Sequence, residues 1–154
     1  AIFSRFGVMA FADPVAAFAN FRRILRSSGR LAFTCWRALD ENELDHLPLR
    51  AAGLAEAVDE TPFGLADPGH LHGILEAAGF RTIAIRAHDE KVSSGDLDAM
   101  AAVLSRIGPL GKILRESPSL RGMAEPRLRR ALATLGDPSR VELRASIWVV
   151  TANA

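Results

Sequence analysis

With 154 residues, 49% of them hydrophobic and 24% charged, the chain is long enough for one domain with its own core, and its composition excludes disordered and collagen-like classes. Its 19 basic and 18 acidic side chains leave a formal net charge of +1, so neither a nucleic acid nor a membrane surface is implied as a partner. A single cysteine, Cys35, can form no internal disulfide and lies in an apolar run, which predicts a buried thiol in a reducing compartment. No run approaches the roughly 20 apolar residues of a membrane span and no signal-peptide pattern opens the chain, so the cytoplasm is the expected location.

Ile2 to Phe6 has the character of a strand end. Asp13 and Pro14 then open a helix predicted to run to about Arg26, since aspartate is a strong N-cap and proline favours the first helical position. Val15, Phe18, Phe21, Ile24 and Leu25 recur at helical spacing and give that helix one apolar face. Arg22, Arg23 and Arg26 complement its negative end. Ser27-Ser28-Gly29 predicts a turn with the glycine in the left-handed region. Arg30 to Trp36 follows as a near-continuous apolar strand, the pattern of a strand with helices over both sheet faces. A right-handed crossover would join it in parallel to the first strand. This is the crossover unit of a nucleotide-type α/β sheet, placed where the middle of a doubly wound domain is expected.

From Arg37 to Leu65 the pattern weakens. Asp40-Glu41-Asn42-Glu43 is polar, and the helical spacing of Leu44 to Val58 is interrupted at Pro48 and Gly53. Residues 38–65 are therefore expected to form a helical insertion within a single domain spanning 1–154. Asp67-Pro68 repeats the cap signal for a helix carrying Leu71, Ile74, Leu75 and Ala78 and ending at Gly79. Phe80 to Ala87 alternates as a strand with one covered face or an edge. Leu97 to Ile107 predicts a helix broken by Gly108-Pro109, and Pro126 to Leu135 another, ended by Gly136. Val141 to Thr151 closes the chain as a long strand rich in β-branched residues and tryptophan.

Four segments, SRFGVMAFADP, FRRILRSSGRLAFTCW, FGLADPGHLHGILEAAGF and the final WVVTA, resemble the carboxyl-terminal half of class I S-adenosylmethionine-dependent methyltransferases of the small-molecule type. The resemblance covers nearly the whole chain. It implies a truncated Rossmann-like α/β fold with a mixed sheet in which Ile2 to Phe6, Arg30 to Trp36, Phe80 to Ala87 and Val141 to Thr151 match the family's strands four, five, six and seven, in the order 4-5-7-6 with the seventh antiparallel. The chain departs from the family at Ser27-Ser28-Gly29, where a Pro-Gly-Gly turn is usual, and at Ala10, where an aromatic is common. A larger departure concerns the Gly-rich turn and the acidic ribose-binding residue that hold the cofactor: neither Gly108-x-x-Gly111 nor Gly64 with Gly69 lies in the required strand, turn, helix context.

By the same resemblance, Ser4, Arg5 and Phe6 would face the methionine end of S-adenosylmethionine, against the plain alternative of a turn leading into the next helix. Trp36 and Arg37 sit at the carboxyl end of their strand, the edge where open α/β sheets bind ligands, and are the candidates for the acceptor pocket; a core role suits the tryptophan equally. Methyl transfer is an in-line displacement that needs alignment and, for oxygen or nitrogen acceptors, removal of a proton. His46, in the insertion that should roof the acceptor pocket, is the weak candidate for that base. His70 and His72 are two positions apart on a helix and point to different sides, so no shared metal is expected. His88 is expected to face solvent, and nothing adjacent in sequence lowers the pKa of Cys35.

The sequence thus points to part of a methyltransferase acting on a small-molecule acceptor, inactive as an isolated chain because most cofactor contacts are missing. The bare edge of the first strand is expected to pair with a second copy or with a missing amino-terminal segment. The rival expectation is a noncatalytic interaction or assembly module that keeps the fold remnant.

Overall fold

Two aspartates, each followed by proline, set the helices that cover the sheet in the computed structural model, which describes residues 1–154. Strand β1 (Ile2–Arg5) leads to helix α1 (Pro14–Ile24). Asp13 is extended, and its carboxylate accepts the Ala16 N–H at 2.9 Å. α1 ends before Arg26 because Leu25 turns to extended backbone, with its side chain packed on the core. Strand β2 (Arg30–Trp36) follows. Gly29 does not adopt a left-handed conformation; it is required because a Cβ there would come within 2.8 Å of the Arg26 carbonyl oxygen.

Helix α2 (Glu43–Ala52) contains Pro48 rather than stopping at it, and the proline is buried. Gly53, at φ 73°, ends the helix by donating its N–H to the Arg50 carbonyl. Helix α3 (Pro68–Ala77) is capped by Asp67, whose carboxylate accepts the His70 N–H at 2.5 Å. Strand β3 (Arg81–Val92) runs past Ala87 through an exposed polar stretch, since ladder pairing, not burial, carries it onward. Helix α4 (Leu97–Leu104) gives way to helix α5 (Gly108–Glu116), so Gly108-Pro109 opens a helix as well as ending one. Helix α6 (Arg121–Leu132) starts upstream of Pro126 with no side-chain cap, which removes the usual sequence signal. Strand β4 (Leu143–Asn153) completes the chain.

The four strands form one mixed sheet in the order β1-β2-β4-β3. β1 and β2 are parallel, with Ile2 opposite Leu31 and Arg5 opposite Thr34. β4 lies antiparallel to β2, from Arg30 opposite Asn153 to Trp36 opposite Ile147. This is the sheet expected for strands four, five, seven and six. The burial of β2 alternates, however. Leu31, Phe33 and Cys35 are buried with Phe18 of α1 and Leu71, Ile74 and Leu75 of α3, whereas Ala32, Thr34 and Trp36 are only half-buried. The second sheet face is covered less completely than the first, although the Thr34 hydroxyl on it is buried, and small and β-branched residues suit such a partly covered face.

The chain divides into two compact units: Ala1–Ala38, Glu60–Asp89 and Ser146–Ala154 form the first, Leu39–Asp59 and Glu90–Ala145 the second. The core of the first is the cluster just described. The second is built on Leu49, Met100, Leu110, Leu114 and Leu128 from α2, α4, α5 and α6. Within it, Gly111 lies so close to the Arg106 backbone that a Cβ would come within 2.3 Å of its carbonyl carbon. Asp45 of α2 is buried, with a carboxylate oxygen 2.8 Å from where a Gly108 Cβ would stand.

Burial pushes the Asp45 carboxyl up to about 6. The folded state therefore holds this proton where the unfolded chain, titrating near 4, has released it. Stability contributed by this site is highest below about pH 4 and falls as pH rises to about 6. Asp45→Asn is expected to stabilise the protein by ~2 kcal/mol at about pH 8 and to flatten that slope, as read from urea unfolding between about pH 4 and 8. An unchanged slope in the variant would show that Asp45 ionises without penalty.

Candidate functional site

The carboxyl ends of the parallel strands β1 and β2 lie side by side, the position where an open α/β sheet presents ligand-binding groups. The first feature there is a bent backbone. The Phe6 N–H continues the ladder by donating to the Thr34 carbonyl at 3.1 Å, yet Phe6 itself sits at φ 57°, a left-handed conformation that costs a bulky L-residue about 1–2 kcal/mol. The Ser4 hydroxyl steadies the turn by accepting the Gly7 N–H at 3.2 Å. A Cβ on Gly7 would stand 2.9 Å from that hydroxyl, so the turn takes glycine there. Val8 and Met9 then pack into the core and anchor the far side of the turn.

The turn delivers the Phe6 ring onto Trp36, with centroids 4.4 Å apart and planes 26° from parallel. Such stacking adds about 0.5–1.5 kcal/mol beyond the area it buries, comparable with the backbone cost at Phe6. Arg5 is exposed beside this pair. The structure therefore brings Phe6 and Trp36 together as one aromatic surface and uses Ser4 to close the turn.

Arg37 is not on that surface. Side chains alternate across a strand, and whereas Trp36 meets Phe6, the Arg37 guanidinium lies 5.1 Å from the Trp148 ring centroid and 3.1 Å from an Asp89 carboxylate oxygen. The same oxygen accepts the Ser146 hydroxyl at 2.6 Å, and the Arg37 N–H donates to the Ser146 carbonyl at 3.1 Å. Trp148 is held in turn by its indole N–H, which donates to the Ala66 carbonyl at 2.7 Å. Asp89, Ser146 and Trp148 were not singled out from the sequence. Asp89 follows the stretch read as strand, and only the pairing of β3 with β4 brings it near residues late in the chain.

His46 belongs to the second unit, on α2, where it lines a cleft with Glu43, Arg50 and Arg144. His70 and His72 are exposed on α3, and His88 lies exposed within β3. No three His, Cys, Asp or Glu side chains gather closely enough to hold a metal ion. Cys35 is buried on the covered face of the sheet, and burial pushes its thiol up to about 12, which leaves it protonated and unreactive in the folded protein. No helix is long and apolar enough to cross a membrane.

No family model matches the chain, and no curated protein matches its sequence. Among solved structures the chain is similar to a Bacillus halodurans protein provisionally named a methyltransferase, at 13% identity and a TM-score of 0.53, over 98% of this chain and 62% of that one. It also matches phosphoethanolamine N-methyltransferase 2 of Haemonchus contortus, solved with phosphomonomethylethanolamine and S-adenosylhomocysteine, at 13% identity and a TM-score of 0.44, over 98% of this chain and 32% of that one. The chain thus spans less than two thirds of either protein. At this identity the first likeness shows the fold alone, and the fold is methyltransferase-like.

Two outcomes test the site as described. Arg37→Gln removes the ion pair and the stacking on Trp148 and is expected to cost about 1–2 kcal/mol in urea unfolding, with a change in tryptophan emission that Arg86→Gln does not produce. The Cys35 thiol is expected to resist Ellman's reagent in the folded protein at about pH 8 and to react fully in denaturant; rapid labelling without denaturant would contradict its burial.

Proposed function

We propose that this chain is the carboxyl-terminal part of an S-adenosylmethionine-dependent methyltransferase that acts on a small-molecule acceptor. The observation that carries the reading is the sheet order β1-β2-β4-β3 with β4 antiparallel to β2, together with a likeness to the Bacillus halodurans structure along 98% of the chain. S-adenosylmethionine would supply the electrophilic methyl group.

The residues present fit that cofactor as one wall of its site. The Ser4 to Gly7 turn and the Phe6–Trp36 stack form an apolar, sterically defined surface at the carboxyl ends of the parallel strands, suited to lie against a sulfonium and its acceptor. Ser4 serves as a positioning residue for the turn. Trp36 contributes a face to the acceptor side. Arg37, engaged by Asp89 and Trp148, holds the strand ends in register. The Gly-rich turn and ribose-binding acid that complete the family's site have no counterpart in this sequence, so the chain alone is proposed to be inactive.

One observation favours a second reading, a noncatalytic interaction module. β1 stands at the sheet edge, and Phe3 on it is 74% exposed, which is the chemistry of a strand that recruits a partner. The same edge serves the first reading if a second copy or an amino-terminal segment pairs there and completes the cofactor site.

Calorimetric titration with S-adenosylmethionine, alongside light scattering, separates the two. A dimeric mass with saturable binding is expected if a second copy completes the site; a monomeric mass without binding is expected if an amino-terminal segment must supply the other wall, and adding that segment should then restore binding. A dimer that binds no cofactor favours the interaction module and counts against the enzyme reading.

A further inference from the structure

The second unit carries a cleft of about 730 Å³ whose lining divides into an apolar floor and a charged rim. Helical spacing on α2 builds much of it. Glu43, Leu47, Arg50 and Ala51 fall at three- and four-residue intervals on the cleft side, while Asp45, Pro48, Leu49 and Ala52 are buried on the other. Leu47 and Ala51, with Ala131 of α6, supply the apolar floor. Arg50, Arg144 and Lys91 bring three permanent cations to the rim, and His46 stands beside them.

The guanidinium donors on this rim are not used up among themselves. Neither the Arg50 nor the Arg144 guanidinium forms an ion pair or a hydrogen bond, although both line the same cleft. Glu43, the acid on the same helix face, already accepts the Arg144 backbone N–H at 3.0 Å. Lys91 reaches Glu142 only at 3.8 Å, and Asp40 is the one other acid on the rim. With Lys91 drawn to Glu142, the two remaining cations match the two acids in number, so what the cleft offers an anion is a pair of guanidiniums with unused hydrogen-bond donors rather than a net positive charge. Guanidinium groups bind carboxylate and phosphate through paired, directional hydrogen bonds, and the volume suits a small molecule.

We propose that this cleft binds an organic anion, with its carboxylate or phosphate held by Arg50 and Arg144 and its apolar body laid on Leu47, Ala51 and Ala131. The inference does not rest on methyl transfer, because it uses only residues of the second unit and its test reads binding without S-adenosylmethionine.

The full chain is titrated calorimetrically with 1-naphthoate, 1-naphthyl phosphate and the uncharged 1-naphthylmethanol. One-site binding of at least one anion is expected, at least about tenfold tighter than the alcohol, and the tighter anion identifies carboxylate or phosphate as the group recognised. Arg50→Gln/Arg144→Gln is expected to weaken it by about tenfold or more, whereas Arg130→Gln, on exposed α6 surface outside the cleft, leaves it unchanged. Arg50→Glu provides an independent second variant with the same expected loss, and the His46 imidazole resonances should move on titration of the wild type only. The proposal is overturned if neither anion binds, if the alcohol binds as well as the anions, or if the folded arginine variants bind as tightly as the wild type.

Discussion

The antiparallel insertion of β4 between β2 and β3 is the constraint on which the architecture depends. β2 has β1 on one side and needs β4 on the other to satisfy its backbone, while β3 pairs with β4 and with no other strand. The register that sets Cys35 opposite Trp148 brings Val150 and Ala152 onto the face covered by α1 and α3. A one-residue slip would turn those side chains to the other face and leave Phe18 and Leu75 without their packing partners. The same register brings Ser146 and Trp148 to Arg37, so the arginine cluster is a product of strand pairing between distant segments.

Much of this was legible where local chemistry and tertiary context agree. The Asp-Pro pairs at Asp13 and Asp67 specify helix starts by themselves, since cap and proline both act within one turn. Arg30 to Trp36 is apolar enough to be a strand in any α/β context. Legibility failed where a distant partner decides. β3 continues through exposed Arg86 to Lys91 because β4 lies alongside, and no property of those residues announces it. α5 begins at a Gly-Pro pair because Gly108 takes a positive φ on the way out of one helix and Pro109 suits the first turn of the next. The pair therefore reads as a break from one side and as a start from the other.

The site shows the same division. Ser4, Arg5 and Phe6 are expected from the family resemblance and Trp36 and Arg37 from their place at the end of a strand, and all five lie at the carboxyl ends of β1 and β2. Their partition into a Phe6–Trp36 surface and an Arg37–Asp89–Trp148 cluster follows from side-chain alternation, which the grouping of Trp36 with Arg37 in one pocket overlooked. The left-handed backbone at Phe6 has no sequence signal, because the residue that bears it is aromatic rather than glycine. It persists because the ladder bond to Thr34 before it and the packed Val8 after it fix the chain on both sides.

The interleaving of the two units bears on how the chain is made. Each unit is assembled from segments separated by pieces of the other, and the first unit draws its inner strand from Ser146 onward. During synthesis β1, α1, β2, α3 and β3 all leave the ribosome before the strand that joins β2 to β3 exists. Until then Leu31, Phe33 and Cys35 lack their neighbours on β4, and two strand edges stand open. Long-range pairing of this kind is slow, and the open strand edges favour aggregation until β4 is in place.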